Sequence, residues 1–171
     1  KVTIVGTNDA PTLNTPSSVS YIDTSATDTF SNATGTLTSA DVDDGASATF
    51  GIFGGSVSNG MSSLAGSYGT LSVNTSSGAY TYTPNSTSIN ARSLNASETF
   101  TVTVSDGTAT TNATYTVIIT GANDTPTISV VDVSGVVTEG ALGTASSTTL
   151  SDSGSIAFAD LDLTDRPTAT E

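Results

Sequence analysis

The residues with chemistry to offer in this chain are carboxylates and side-chain amides, and they recur in fixed company. Asn8-Asp9 stands two residues before Pro11, and Asn123-Asp124 stands in the same relation to Pro126. Asp41-Val42-Asp43-Asp44 is answered by Asp160-Leu161-Asp162, and Asp106 precedes Gly107. Glu98 opens a later strand. The sequence contains no His and no Cys, which rules out Ser-His-Asp and Cys-His machinery and the usual zinc sites within this chain. Oxygen donors of this kind can instead hold a hard divalent cation; calcium accepts carboxylate, amide and backbone oxygens together, about six to eight of them. The candidate metal ligands are therefore Asn8, Asp9, Asp41, Asp43, Asp44 and Asp106 at one end of a unit. Asn123, Asp124, Asp160 and Asp162 would serve the other end, with Glu98 reaching them from the preceding unit. Asp132, Glu139 and Asp165 lie further out. The ordinary alternative is that Asx residues occupy loops because they make Asx turns, and that acidity aids solubility.

The elements that must position these groups follow from a repeat. Val2-Thr-Ile-Val-Gly-Thr-Asn-Asp-Ala-Pro-Thr12 returns as Val117-Ile-Ile-Thr-Gly-Ala-Asn-Asp-Thr-Pro-Thr127, an interval of about 115 residues. That interval is close to the commonest domain size. The proline in each copy stiffens the hinge and pushes the residue before it toward extended geometry. The expected organisation is residues 1–7 as the last strand of a preceding repeat, 8–121 as one complete repeat and 122–171 as the start of the next. The sequence is expected to be a segment of a longer protein.

Within the complete repeat, strands are expected at 18–22, 34–38, 47–53, 68–73, 79–83, 99–104 and 113–120. Phe100, Val102 and Val104 alternate strictly with Thr, and Leu71, Val73, Tyr80 and Tyr82 alternate with Ser and Thr. Residues 54–66 read as a long glycine-rich loop and 89–94 as one helical turn. Seven short strands with turn signals between them predict an all-β, immunoglobulin-like Greek-key sandwich. Strands running alternately down and up would bring the loops holding Asp41 to Asp44 and Asp106 to the same end as Asn8-Asp9. Carboxylates confined there repel one another unless a cation sits among them.

Composition agrees. Ser and Thr supply roughly a third of the residues, and the formal net charge is −13. So negative a surface repels phosphates and anionic lipid, which sets aside nucleic acid and membrane insertion as partners, and it attracts divalent cations. No apolar run approaches the ~20 residues of a membrane-spanning helix. Paired carboxylates can hydrolyse glycosides, but nothing signals an aromatic-lined cleft to hold a sugar, and the reading is non-enzymatic.

Four motifs occur in order: Gly-Thr-Asn-Asp-Ala-Pro, Ala-Asp-Val-Asp-Asp, Tyr-Gly-Thr-Leu-Ser-Val-Asn with Gly-Ala-Tyr-Thr-Tyr-Thr, and Thr-Phe-Thr-Val-Thr-Val-Ser-Asp-Gly. Together they resemble the VCBS repeat, a bacterial cadherin-like module of very large RTX-type adhesins, over residues 1–121 and again from 122 to about 162. The resemblance implies an extracellular, calcium-dependent spacer at the bacterial surface, exported by a type I system. It would support cell adhesion or biofilm formation, pack against adjacent repeats of its own chain and leave a target glycan or protein to other domains. The alternative within the same resemblance is a domain that itself binds glycan or protein in a calcium-dependent way. The glycine- and aspartate-rich nonapeptides of RTX secretion tails are absent from this sequence.

Overall fold

The computed structural model describes residues 1–3, 5–43, 45–132, 134–138 and 151–162. In chain order the elements are β1 (Thr12–Leu13), β2 (Val19–Ile22), β3 (Ala33–Thr36), β4 (Ser39–Ala40), β5 (Thr49–Ile52), β6 (Ser56–Ser58), β7 (Met61–Ala65), β8 (Gly69–Asn74), β9 (Ala79–Pro84), α1 (Ser86–Asn90), β10 (Ala96–Ser105), β11 (Thr110–Thr120), β12 (Thr127–Val131) and β13 (Ile156–Ala159). All seven expected strands are present. Two sheets face each other, one ordered β2-β11-β10-β5 and the other β3-β9-β8-β7-β6, and the protein is an all-β sandwich.

The period-two pattern is what closes it. Phe100, Val102 and Val104 on β10, Tyr115, Val117 and Ile119 on β11, Leu71 and Val73 on β8, and Tyr80 and Tyr82 on β9 all turn inward and are buried, while the intervening Ser and Thr face water. Tyr82 lies at the centre, its ring 6.0 Å from Tyr21, 6.0 Å from Phe100 and 6.2 Å from Tyr115. Offset and edge-on aromatic pairs of this kind add to the burial of their area.

Two expectations need correction. Residues 54–66 are not one loop. They contain the hairpin β6–β7, turned by Asn59 and Gly60 with φ of 50° and 74°. Positive φ at both centre positions is the turn that matches strand twist, and Asn-Gly is the pair that tolerates it. The strands themselves are serine-rich and carry little apolar alternation, so the turn was the legible signal. The helical turn falls at Ser86–Asn90, capped by the Asn85 side chain, which accepts from the Ser88 amide at 3.2 Å. Among the described residues of 1–7 there is no strand. Their counterpart, Val117 to Thr120, is a strand because β2 and β10 flank it.

Two features set the ends of the sandwich. β2 pairs parallel with β11, so both run toward the same end and deliver Asp23 and the 121–124 hinge there. At the opposite end, β1 pairs with β4, Thr12 against Ala40, which draws the first hinge down onto the Asp41 loop.

Candidate metal centre

At the first hinge the Asn8 side-chain amide donates to the Asp9 carbonyl at 2.8 Å and to the Asp106 carboxylate at 3.0 Å. The Asp9 amide donates to Asp43 at 2.7 Å, and the Asp43 amide donates to Asp41 at 3.0 Å. Asp106 also accepts from the amides of Thr108 and Ala109, each at 2.6 Å. The Ala109 and Thr108 amides, then the Asn8 amide, hold its carboxyl below the usual range. The structure thus brings Asn8, Asp9, Asp41, Asp43 and Asp106 together. Asp44 lies outside the described residues, as do Glu139 and Asp165.

The second hinge repeats three of these bonds. The Asn123 side-chain amide donates to the Asp124 carbonyl at 2.8 Å, the Asp124 amide to Asp162 at 2.6 Å, and the Asp162 amide to Asp160 at 3.0 Å. β12 pairs with β13, Thr127 against Ala159, as β1 pairs with β4. Even the small hydroxyl bonds match: Thr12 to the Ala40 carbonyl at 2.9 Å, Thr127 to the Ala159 carbonyl at 3.3 Å. One local sequence, Asn-Asp-x-Pro-Thr, closes onto Ala-Asp-x-Asp in both places.

The second hinge meets the bottom of the complete sandwich. Asp23 follows β2, where its amide extends the pairing to the Thr120 carbonyl at 2.9 Å. It is 3% exposed, and Asp124 and Asp162 are each 2% exposed. Both carboxylate oxygens of Asp23, both of Asp124 and Oδ1 of Asp162 are buried and accept no well-formed hydrogen bond, although the Ala122 and Thr24 amides beside Asp23 favour its charged form. Burial raises the pKa of Asp124, and the charges of Asp162, Asp160 and Asp28 raise it further. Burial likewise raises Asp23, reinforced by the charge of Asp124. Asp41 Oδ2 is buried and unpartnered in the same way at the first hinge.

Sequence reasoning missed Asp23 and Asp28. The available signal was strand direction, since the residue after the first strand of a sandwich entered from the top must emerge at the bottom, beside the outgoing hinge. Glu98 is the opposite case. It shares the inward parity of Phe100 and Val102, opposite Val117, and is spent inside its own domain. It accepts from the Tyr82 hydroxyl at 2.6 Å and from the amides of Ser67 and Tyr68 at 2.7 and 3.2 Å.

Buried like charges with unused lone pairs are costly unless something neutralises them. Among the described residues no three acidic side chains are gathered in a geometry that would hold a metal ion as they stand. The donor chemistry nevertheless fits calcium: hard oxygens, of which Asp23, Asp124 and Asp162 supply buried ones at the second hinge and Asp41 one at the first.

A model of the bacterial cadherin-like domain family matches residues 8–121. The chain belongs to the bacterial cadherin-like domain family. Domains of this cadherin-like kind are extracellular adhesion-type modules, typically structural rather than enzymatic. No curated protein matches the chain. Among solved structures, the crystal structure of human protocadherin-24 EC1-2 is similar, with 18% identity, a TM-score of 0.38, and coverage of 66% of this chain and 44% of that one. The cadherin-like chain thus spans less than half the length of that structure's chain. Among the described residues, no helix is long and apolar enough to cross a membrane.

Proposed function

We propose that this chain is a calcium-stiffened extender of a bacterial surface adhesin, a module of the VCBS type in a large RTX-type protein that is exported by a type I system and supports cell adhesion or biofilm formation. The observation that carries this reading is the set of five buried, unpartnered carboxylate oxygens on Asp23, Asp124 and Asp162, drawn from both sides of one hinge. Asp23 belongs to the complete sandwich, and Asp124 and Asp162 to the stretch that restarts the pattern. Calcium would supply positive charge and oxygen coordination there. Asp160, with one oxygen already orienting the Asp162 amide, and the Asn123 side-chain carbonyl complete the candidate donor set.

The chain's own residues determine what occupancy would do. The Asp124 amide grips Asp162 and the β12–β13 pairing holds Asp160 beside it, so the next repeat carries its half of the site as a preformed corner. Asp23 is fixed to the end of β2 by the Thr120 carbonyl. Without the ion, mutual repulsion splays these two anchored halves; with it they are tied. Small-angle scattering of the chain in calcium and in EDTA tests this. The extended, narrow distribution expected in calcium should broaden and shorten in EDTA, and identical profiles would defeat the proposal.

A further inference from the structure

Asp23 needs more than the end of a strand to aim it, because the loop that follows must turn away from the hinge and return to β3. That loop is closed by a two-way clasp. The buried side chain of Asn90, 3% exposed at the end of α1, accepts from the Asp28 amide at 3.0 Å and donates to the Asp28 carbonyl at 2.9 Å. The Asp28 carboxylate in turn accepts from the Thr24 amide at 2.7 Å and the Thr24 hydroxyl at 2.8 Å. Residues 24–28 are therefore pinned at both ends, one residue beyond Asp23. Between the pins, Ser25, Ala26 and Thr27 form one wall of a cleft whose other wall is Thr125, Thr127 and Leu161 of the next repeat.

We propose that Asn90 is a positioning residue for the junction: through Asp28 it fixes the 24–28 loop, and so sets Asp23 and the Ser25 to Thr27 wall against the following repeat. This rests on the reading of the hinge as a calcium site. An amide side chain satisfies both backbone groups of one residue only if it offers a donor and an acceptor side by side, which Asn does and a carboxylate or aliphatic chain does not. Residues that orient metal ligands without touching the ion commonly change affinity by about ten- to a hundredfold when removed.

The test uses the whole chain with Asn90→Ala, and with Thr24→Val as a milder variant that removes only the hydroxyl bond to Asp28. Calcium binding is followed by titration calorimetry, and amide hydrogen exchange is measured in EDTA. Asn90→Ala is expected to weaken calcium binding by about tenfold and to speed exchange at residues 23–28 while β10 and β11 keep their protection; Thr24→Val should move both readouts the same way by less. Binding within twofold of the unaltered chain overturns the inference. If Asn90→Ala does not fold, unchanged binding and exchange in Thr24→Val overturn it instead. Should the unaltered chain take up no calcium, the function proposed above falls, while exchange at 23–28 still decides whether the clasp holds the loop.

Discussion

The backbone amide of Asp124 reaches the carboxylate of Asp162 at 2.6 Å, while both carboxylate oxygens of Asp124 itself are buried and unpartnered. One residue is thus both an organiser of the hinge and a source of its electrostatic cost. The first consequence is a change of sign. Asp124→Asn removes a buried charge and keeps the backbone bond, so it should raise Tm in EDTA. In calcium the same change should weaken ion binding by ~10-fold or more, because the charge of the ligand set tunes affinity. Thermal melts in the two buffers check this, and a fall in Tm in both would contradict it.

Acidity supplies a second test. The carboxyls of Asp23 and Asp124 are raised, first by burial and then by neighbouring charge. A raised folded-state value means the folded chain binds the proton more tightly than the unfolded one, so stability is full below the unfolded value of about 3.9 and is lost as pH climbs through the folded value. In EDTA, Tm should therefore rise as pH falls toward the unfolded value of about 3.9. In saturating calcium the trend should vanish or reverse, since the ion binds only the ionised form. Asp106 is lowered, and its contribution fades only at still lower pH. A melting temperature in EDTA that is flat across this range would count against the buried carboxylates.

Glu98 should prove structural. Glu98→Ala strands the Tyr82 hydroxyl and the amides of Ser67 and Tyr68. The Ser67 amide can turn to water, but the part-buried Tyr82 hydroxyl and Tyr68 amide each cost roughly 1–3 kcal/mol when left unpaired. Urea unfolding should register that loss while calcium affinity stays at the unaltered level; a selective loss of affinity would return Glu98 to the hinge.

The sandwich core provides the calibration. Leu71 is 0% exposed between the sheets, and Leu71→Ala should cost about 3–5 kcal/mol in urea unfolding. Loss of this size without a change in the calcium-induced shift in Tm would separate the fold from the hinge.

The fold was legible where side-chain alternation was strong, as at Phe100, Val102 and Val104, because one buried face leaves no freedom of register. It was poorly legible at Ser56 to Ser58, where serine neither marks a core nor excludes one, and only Asn59-Gly60 betrayed the hairpin. The hinge pairs Asn8-Asp9 and Asn123-Asp124 could be read because a spaced repeat exposes what a single copy hides. Asp23 was missed because nothing in its neighbours' identities announces burial, and only the direction of β2, parallel to β11, puts it at the outgoing hinge. The partners of Glu98 follow from its parity on the strand, which turns it toward Tyr82.

That parallel pairing has one more consequence. Val19 to Ile22 lies beside Val117 to Thr120, and the chain enters the sandwich at one end and leaves at the other. Tension along the chain therefore slides the first and last strands past each other in shear, loading their evenly spaced bonds together instead of peeling them singly. A steady pull would thus load all four paired positions of β2 and β11 at once.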